Sequence, residues 1–146
     1  MKTPRIKIKN SAENTNHTMT CSVFGNPDLA MDSLPIKLVK VLKKDFPSIT
    51  FRVEDPNELD LPIQKHWMLL DTVKDLAQVQ LLALSDISKN VMRVTAHDFD
   101  LATHLLLAKK IRKNLEVQII GVPMHYDQEK ALKEVRSILQ KIAFGK

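Results

Sequence analysis

Three side chains able to hold a metal ion, Asp32, Asp71 and His97, stand where apolar runs give way to polar sequence. Asp32 follows the run Thr20-Cys21-Ser22-Val23-Phe24 and the loop signal Gly25-Asn26-Pro27. Asp71 is the first polar residue after Trp67-Met68-Leu69-Leu70. His97 lies beyond the short apolar piece Val91–Val94 and just before a leucine-rich stretch. Spacings of 39 and 26 positions exclude a local binding loop, so only a tertiary fold can unite the three. Two carboxylates and one imidazole make a hard-to-intermediate donor set, suited to nickel, zinc, iron or manganese and less to copper(I). Each residue also has a plainer reading. Asp32 can be a helix N-cap, Asp71 can cap a turn or simply mark a strand end, and His97 can flank the cap of a helix opening at Asp98.

The elements that would position these residues follow from hydrophobic periodicity. Thr20–Phe24 reads as a first strand. A helix begins at Asp32 or Ser33, tolerates Pro35 in its first turn, turns Ile36, Val39, Leu42 and Phe46 inward, and ends at Pro47. Ile49–Val53 is a second strand, and Glu54–Pro62 an acidic, proline-bearing loop with room for one helical turn. His66–Leu70 reads as a strand buried on both faces, and Val79–Leu84 as a further strand suited to an edge. Asp98–Arg112 forms a helix with Leu101, Leu105, Ala108 and Ile111 inward. Val117–Val122 is another buried strand, and Gln128–Phe144 a last helix with Leu132, Val135, Leu139 and Ile142 inward. Residues 1–17 read as a polar N-terminal tail, with Arg5–Lys9 alternating like a short strand, and residues 18–146 as one domain. Strands alternating with helices predict an α/β fold of three layers. Its mostly parallel twisted sheet has about five strands and helices on both faces. Such sheets bind ligands at the carboxyl ends of their strands, where all three candidate ligands fall.

Composition narrows the function classes. At 146 residues the chain fits one ordinary domain, and 44% apolar with 27% charged residues is globular. No apolar stretch approaches a membrane span, and the basic start is followed by polar residues, so neither membrane insertion nor a secretory signal is expected. The single cysteine, Cys21, fits a reducing cytoplasm and reads as a buried, inert thiol. The net charge of +5 comes without aromatic–basic interleaving, so nucleic acid is not an expected partner. The charge reads mainly as solvation of helix faces, with an acidic partner surface as the alternative. A monomer is the favoured oligomeric state. No Gly-x-Ser-x-Gly elbow supports a serine or cysteine nucleophile, and no glycine-rich phosphate loop supports a nucleotide. His66 and His104 read as packing or surface residues and Trp67 as core. His125, in a loop after Pro123, can border a cleft.

Four segments in order resemble the hydrogenase maturation endopeptidases. These are Val23-Phe24-Gly25-Asn26-Pro27 with Asp32 before the first helix, Met68-Leu69-Leu70-Asp71-Thr72-Val73, Thr95-Ala96-His97-Asp98-Phe99 with Leu101, Leu105 and Leu106, and Val117–Pro123. Together they cover about Cys21 to Leu132. The resemblance implies cleavage of one peptide bond near the C-terminus of the large-subunit precursor of a nickel–iron hydrogenase. It further implies that Asp32, Asp71 and His97 bind nickel already seated in that precursor and carry the catalysis. The metal there either polarises the scissile carbonyl, activates a water, or serves to confirm that nickel is loaded. Asp55 and His125 are the matching candidates for substrate contact. Met31 replaces the first of two acids usual in the family, Pro35 stands at its glycine, and Asp55-Pro56-Asn57-Glu58-Leu59 replaces a glycine-rich segment. These departures keep open a divergent, non-catalytic member that binds a metal-loaded partner without cutting it.

Overall fold

Trp67–Leu70 has no polar member, and such a run is stable only when both of its faces are covered. In the computed structural model it lies in the middle strand of a five-stranded sheet. The structure describes residues 7–8, 19–26, 28–29, 33–55, 60–61, 65–89 and 99–143. In chain order the elements are β1 (Lys7–Ile8), β2 (Met19–Val23), α1 (Leu34–Asp45), β3 (Ile49–Val53), β4 (Asp60–Leu61), β5 (His66–Val73), β6 (Gln80–Ala83), α2 (Leu84–Lys89), α3 (Phe99–Ile111), β7 (Glu116–Pro123) and α4 (Gln128–Ala143). The main sheet has the order β3-β2-β5-β7-β6. Its first four strands are mutually parallel, and β6 closes one edge antiparallel to β7. Within the 1–17 segment, Lys7–Ile8 pairs in parallel with Asp60–Leu61.

Alternation along each strand sorts the core into two clusters. Cys21, Val23, Met68, Leu70, Ile120 and Val122 face α1 and α4, where Leu38, Leu42, Val135 and Leu139 are fully buried. Trp67, Leu69, Val117 and Ile119 face the other way, against Leu105 and Ala108 of α3, with Leu84 at the start of α2 packed alongside. The expected three-layer α/β architecture, with helices on both faces of a mostly parallel sheet, is therefore the observed one. Ser22 is a polar residue inside the second cluster. Its Oγ accepts a hydrogen bond of 2.9 Å from the buried Trp67 Nε1, which satisfies the indole N–H without water.

The local rules hold at α1. Pro35 occupies its first turn, Lys43 and Lys44 its last, and Phe46 N–H donates to Leu42 O before Pro47 ends it. Ser33 is the N-cap residue but makes no side-chain capping bond. Several expected inner positions are corrected. Leu38 is buried where Ile36 was expected, since the apolar face of α1 is wide and its centre falls nearer Leu38. Ile111, the last residue of α3, is 52% exposed. In α4 the buried line is Ala131, Val135 and Leu139, with Leu132 and Ile142 only partly covered. Leu84 begins a helix and does not extend β6. The helical turn allowed between Glu54 and Pro62 and the piece Val91–Val94 lie outside the described residues, as does the side chain of Leu101.

Ser22→Ala leaves the Trp67 N–H buried without an acceptor, and is expected to destabilise the fold by about 1–3 kcal/mol. Urea unfolding measures this, and an unchanged midpoint would show that the bond carries no net stability.

Candidate functional site

The connection β2–α1–β3 steps to one side of the sheet, and β5 leads to β7 on the other, so the strand order reverses between β2 and β5. At such a point neighbouring chains diverge and leave a crevice at the carboxyl ends. Here the divergence is visible residue by residue. β2 pairs with β5 only as far as Val23↔Leu70, whereas β7 follows β5 on to Val73↔Pro123. Phe24 N–H still donates to Leu70 O at 2.9 Å, and Glu54 N–H donates to Val23 O at 2.9 Å. The chain then turns away through Asn26, whose Oδ1 accepts the Asp28 N–H at 2.9 Å.

Asp71 is the first residue of β5 beyond that divergence. Its side chain is 1% exposed, and by alternation it lies on the face covered by α3. Its Oδ1 accepts the Thr72 N–H at 2.8 Å, which fixes the plane of the carboxylate. Sequence reading set Asp71 just past the strand end. The structure corrects this, because β7 supplies ladder partners through Pro123 and so carries Asp71, Thr72 and Val73 inside the strand. A carboxylate inside an apolar strand costs several kcal/mol unless compensated, so its presence beside the point where β2 leaves β5 marks a functional candidate. Gly121 stands opposite Asp71 in the ladder. A Cβ there would come within 2.8 Å of Leu76 Cδ1 and 3.0 Å of Val73 Cγ2, so glycine is what lets Leu76 fold back against β7.

Other titratable groups share this rim. Asp55 is exposed, two residues past β3. The preceding Glu54, which sequence reading passed over, has a side chain only 8% exposed, with Arg52 Nη2 at 4.0 Å. The signal for Glu54 was its position as the first residue after a parallel strand. Two strand spacings separate the β3 and β5 exits, about 10 Å. His125 is exposed in the turn after β7 with φ of 56°, and Asp75 holds φ of 64° in the turn after β5. Each is the second residue past a strand whose last residues, Val73 and Pro123, are ladder partners. Left-handed backbone in residues other than glycine costs of order 1–3 kcal/mol and clusters at functional sites. Nothing in the sequence distinguished Asp75 beyond the tolerance of Asp for that conformation.

Asp32 and His97 lie outside the described residues. The described chain resumes at the buried Ser33 before α1 and at Phe99 opening α3. Both helices lead back to the amino ends of the next strands, so both begin at the carboxyl rim. Among the described residues no three His, Cys, Asp or Glu side chains form a group able to hold a metal ion. His66 is at the opposite rim, where Nδ1 lies 2.9 Å from Glu116 Oε2. Cys21 is buried, and its thiol is pushed up by burial first and by the Glu54 carboxylate second, so it is inert as expected. Thr72 is fully buried, and its hydroxyl has no hydrogen-bond partner. Among the described residues no helix is long and apolar enough to cross a membrane.

No family model and no curated protein matches the chain. Among solved structures it is similar to the NiFe hydrogenase maturation protease HybD from Thermococcus kodakarensis, with a TM-score of 0.57 and 15% identity. The likeness covers 86% of this chain and 99% of that one. At this identity the two share a fold.

Replacing Thr72 by valine swaps an unsatisfied buried hydroxyl for an isosteric methyl. It is expected to leave stability unchanged or raise it by up to about 1–2 kcal/mol, read from the thermal midpoint. Native protein at pH 8 is expected to resist iodoacetamide at Cys21 and to react stoichiometrically once unfolded, as mass spectrometry would report; rapid native labelling would contradict the buried thiol.

Proposed function

We propose that the chain is an endopeptidase of hydrogenase maturation. It removes the C-terminal tail of a nickel-loaded large-subunit precursor in the cytoplasm, with Asp32, Asp71 and His97 meeting at the carboxyl rim. The observation that carries this reading is the burial of Asp71 at the point where β2 leaves β5. A fold shared with a NiFe hydrogenase maturation protease along nearly its whole length supports it. So do the starts of α1 and α3, each two residues after Asp32 and His97 respectively, on the same rim.

Nickel in this reading arrives with the precursor and belongs to the substrate. Asp71 suits it chemically, since a carboxylate oriented by the Thr72 N–H is a hard oxygen donor. Bound there, nickel would draw electron density from the scissile carbonyl or acidify a water. The chain's own share is positional. The Thr72 N–H orients the Asp71 carboxylate, the apolar wall of Leu76 and Val73 beside Gly121 limits water, and Asp55 and His125 stand at the rim to meet the polypeptide. The second reading, binding without cleavage, is favoured by one feature. Pro35, at the family's glycine position, is buried in the first turn of α1 and removes both backbone freedom and an N–H at the rim.

Asp71→Asn and His97→Ala are each expected to abolish nickel binding in calorimetry and to cut cleavage of a nickel-loaded precursor at least about 100-fold. Nickel affinity unchanged by either substitution would overturn the triad. Nickel binding without any cleavage by the wild type would select the second reading.

A further inference from the structure

One layer of the fold carries a dense run of positive charge. α1 carries four lysines and one aspartate, and α4 three lysines, one arginine and two glutamates. Their excesses of three and two together equal the formal charge of +5, while the +3 excess of residues 1–17 is balanced by acids elsewhere in the chain. The two helices lie side by side over one face of the sheet, joined by the Arg136 Nε–Asp45 Oδ2 ion pair of 2.6 Å. That pair occupies the aspartate of α1. Glu134 of α4 is likewise occupied, accepting from Tyr126 OH at 2.6 Å and Val79 N–H at 3.2 Å. Lys37, Lys40, Lys43 and Lys44 on α1, and Lys130, Lys133 and Lys141 on α4, are exposed. Glu129 is the exposed acid left on the two helices. Like charges at three- and four-residue steps repel along a helix, so this arrangement costs stability and is not explained by solvation alone.

The surface lacks what other polyanions would need. None of the exposed large apolar side chains among the described residues (Leu29, Val53, Leu81, Leu107 and Ile111) belongs to α1 or α4, and the apolar faces of both helices are in the core. A membrane-surface helix needs that apolar face free. The arginine is engaged, and the neighbouring Tyr126 ring is tied to Glu134 and approached by Lys130 Nζ at 5.3 Å from its centroid. Base stacking and bidentate phosphate contacts are thus missing. What remains is a rigid field of hydrated point charges reaching about 8 Å at physiological salt, suited to steering and holding an acidic protein surface.

We propose that the outer surface of α1 and α4 docks an acidic surface of a partner protein. Both helices start at the carboxyl rim and carry lysines into their last turns, so the docked partner lies along their length. The proposal requires no cleavage and stands apart from the peptidase reading.

The test uses the full chain and poly-L-glutamate as probe, with a short DNA duplex and phosphatidylserine vesicles as competing polyanions, by fluorescence anisotropy and co-sedimentation. Lys40→Glu/Lys44→Glu is compared with Lys110→Glu/Lys113→Glu, an equal charge change at the end of α3. Lys40→Gln/Lys44→Gln guards against misfolding. Expected is salt-sensitive binding of poly-L-glutamate, weakened about tenfold or more by the first pair and by less than about twofold by the second. Equal losses from both pairs, no binding of poly-L-glutamate, or tighter binding to DNA or vesicles would overturn the proposal.

Discussion

Strand β5 imposes the constraint that organises the molecule. It lies between β2 and β7 and beneath helices on both faces, so its backbone polar groups must be met by its neighbours and its side chains must be apolar. The requirement relaxes at one end only. β2 stops pairing at Leu70 while β7 continues to Pro123, and the three residues after Leu70 are held from one side. A charged group can be presented there with its backbone still rigid. A loop would present it with less precision, and a residue deeper in the strand would be sealed from substrate.

The surroundings of Asp71 follow from the same asymmetry. Gly121 is the ladder partner on the β7 side, and its missing side chain is replaced by Leu76 folding back from the turn. On the β2 side Phe24 keeps one hydrogen bond to Leu70 before the chain departs. The carboxylate therefore has the filled wall of Val73 and Leu76 on the β7 flank and the departing chain of β2 on the other. The turns leaving β5 and β7 are matched in length and both hold a left-handed residue. Backbone strain thus sits at the rim and not in the sheet.

Much of this was legible in the sequence because the signals were local. Apolar runs gave β2, β3, β5 and β7, a three-to-four residue period gave α1, α3 and α4, and Gly25-Asn26-Pro27 marked the exit of β2. The edge offered for Val79–Leu84 is where β6 lies, and its strand is mostly exposed there. What escaped depended on partners far away in the chain. Asp71 and Thr72 look like a strand end until β7 is known to run alongside them. Ile111 fits an inward stripe but is exposed as the last residue of α3. Glu54 is unremarkable among neighbouring acids until β3 is seen to deliver it to the rim. Of the expected ligands, Asp71 is the one among the described residues; Asp32 and His97 lie outside them.

The layer formed by α1 and α4 also fixes when the protein can finish folding. Ala131, Val135 and Leu139 complete the cluster that Leu38 and Leu42 begin, and α4 is the last element of the described chain. β5 likewise waits for β7, which follows it by more than 40 residues. A chain emerging from the ribosome can form β2, α1 and β3 early, yet its central strand stays half-paired until β7 arrives and one apolar face stays only partly covered until α4 does. Assembly is therefore late and cooperative. Asp71 gains its ladder partner Gly121 only when β7 arrives, so no nascent fragment ending before β7 has a formed site.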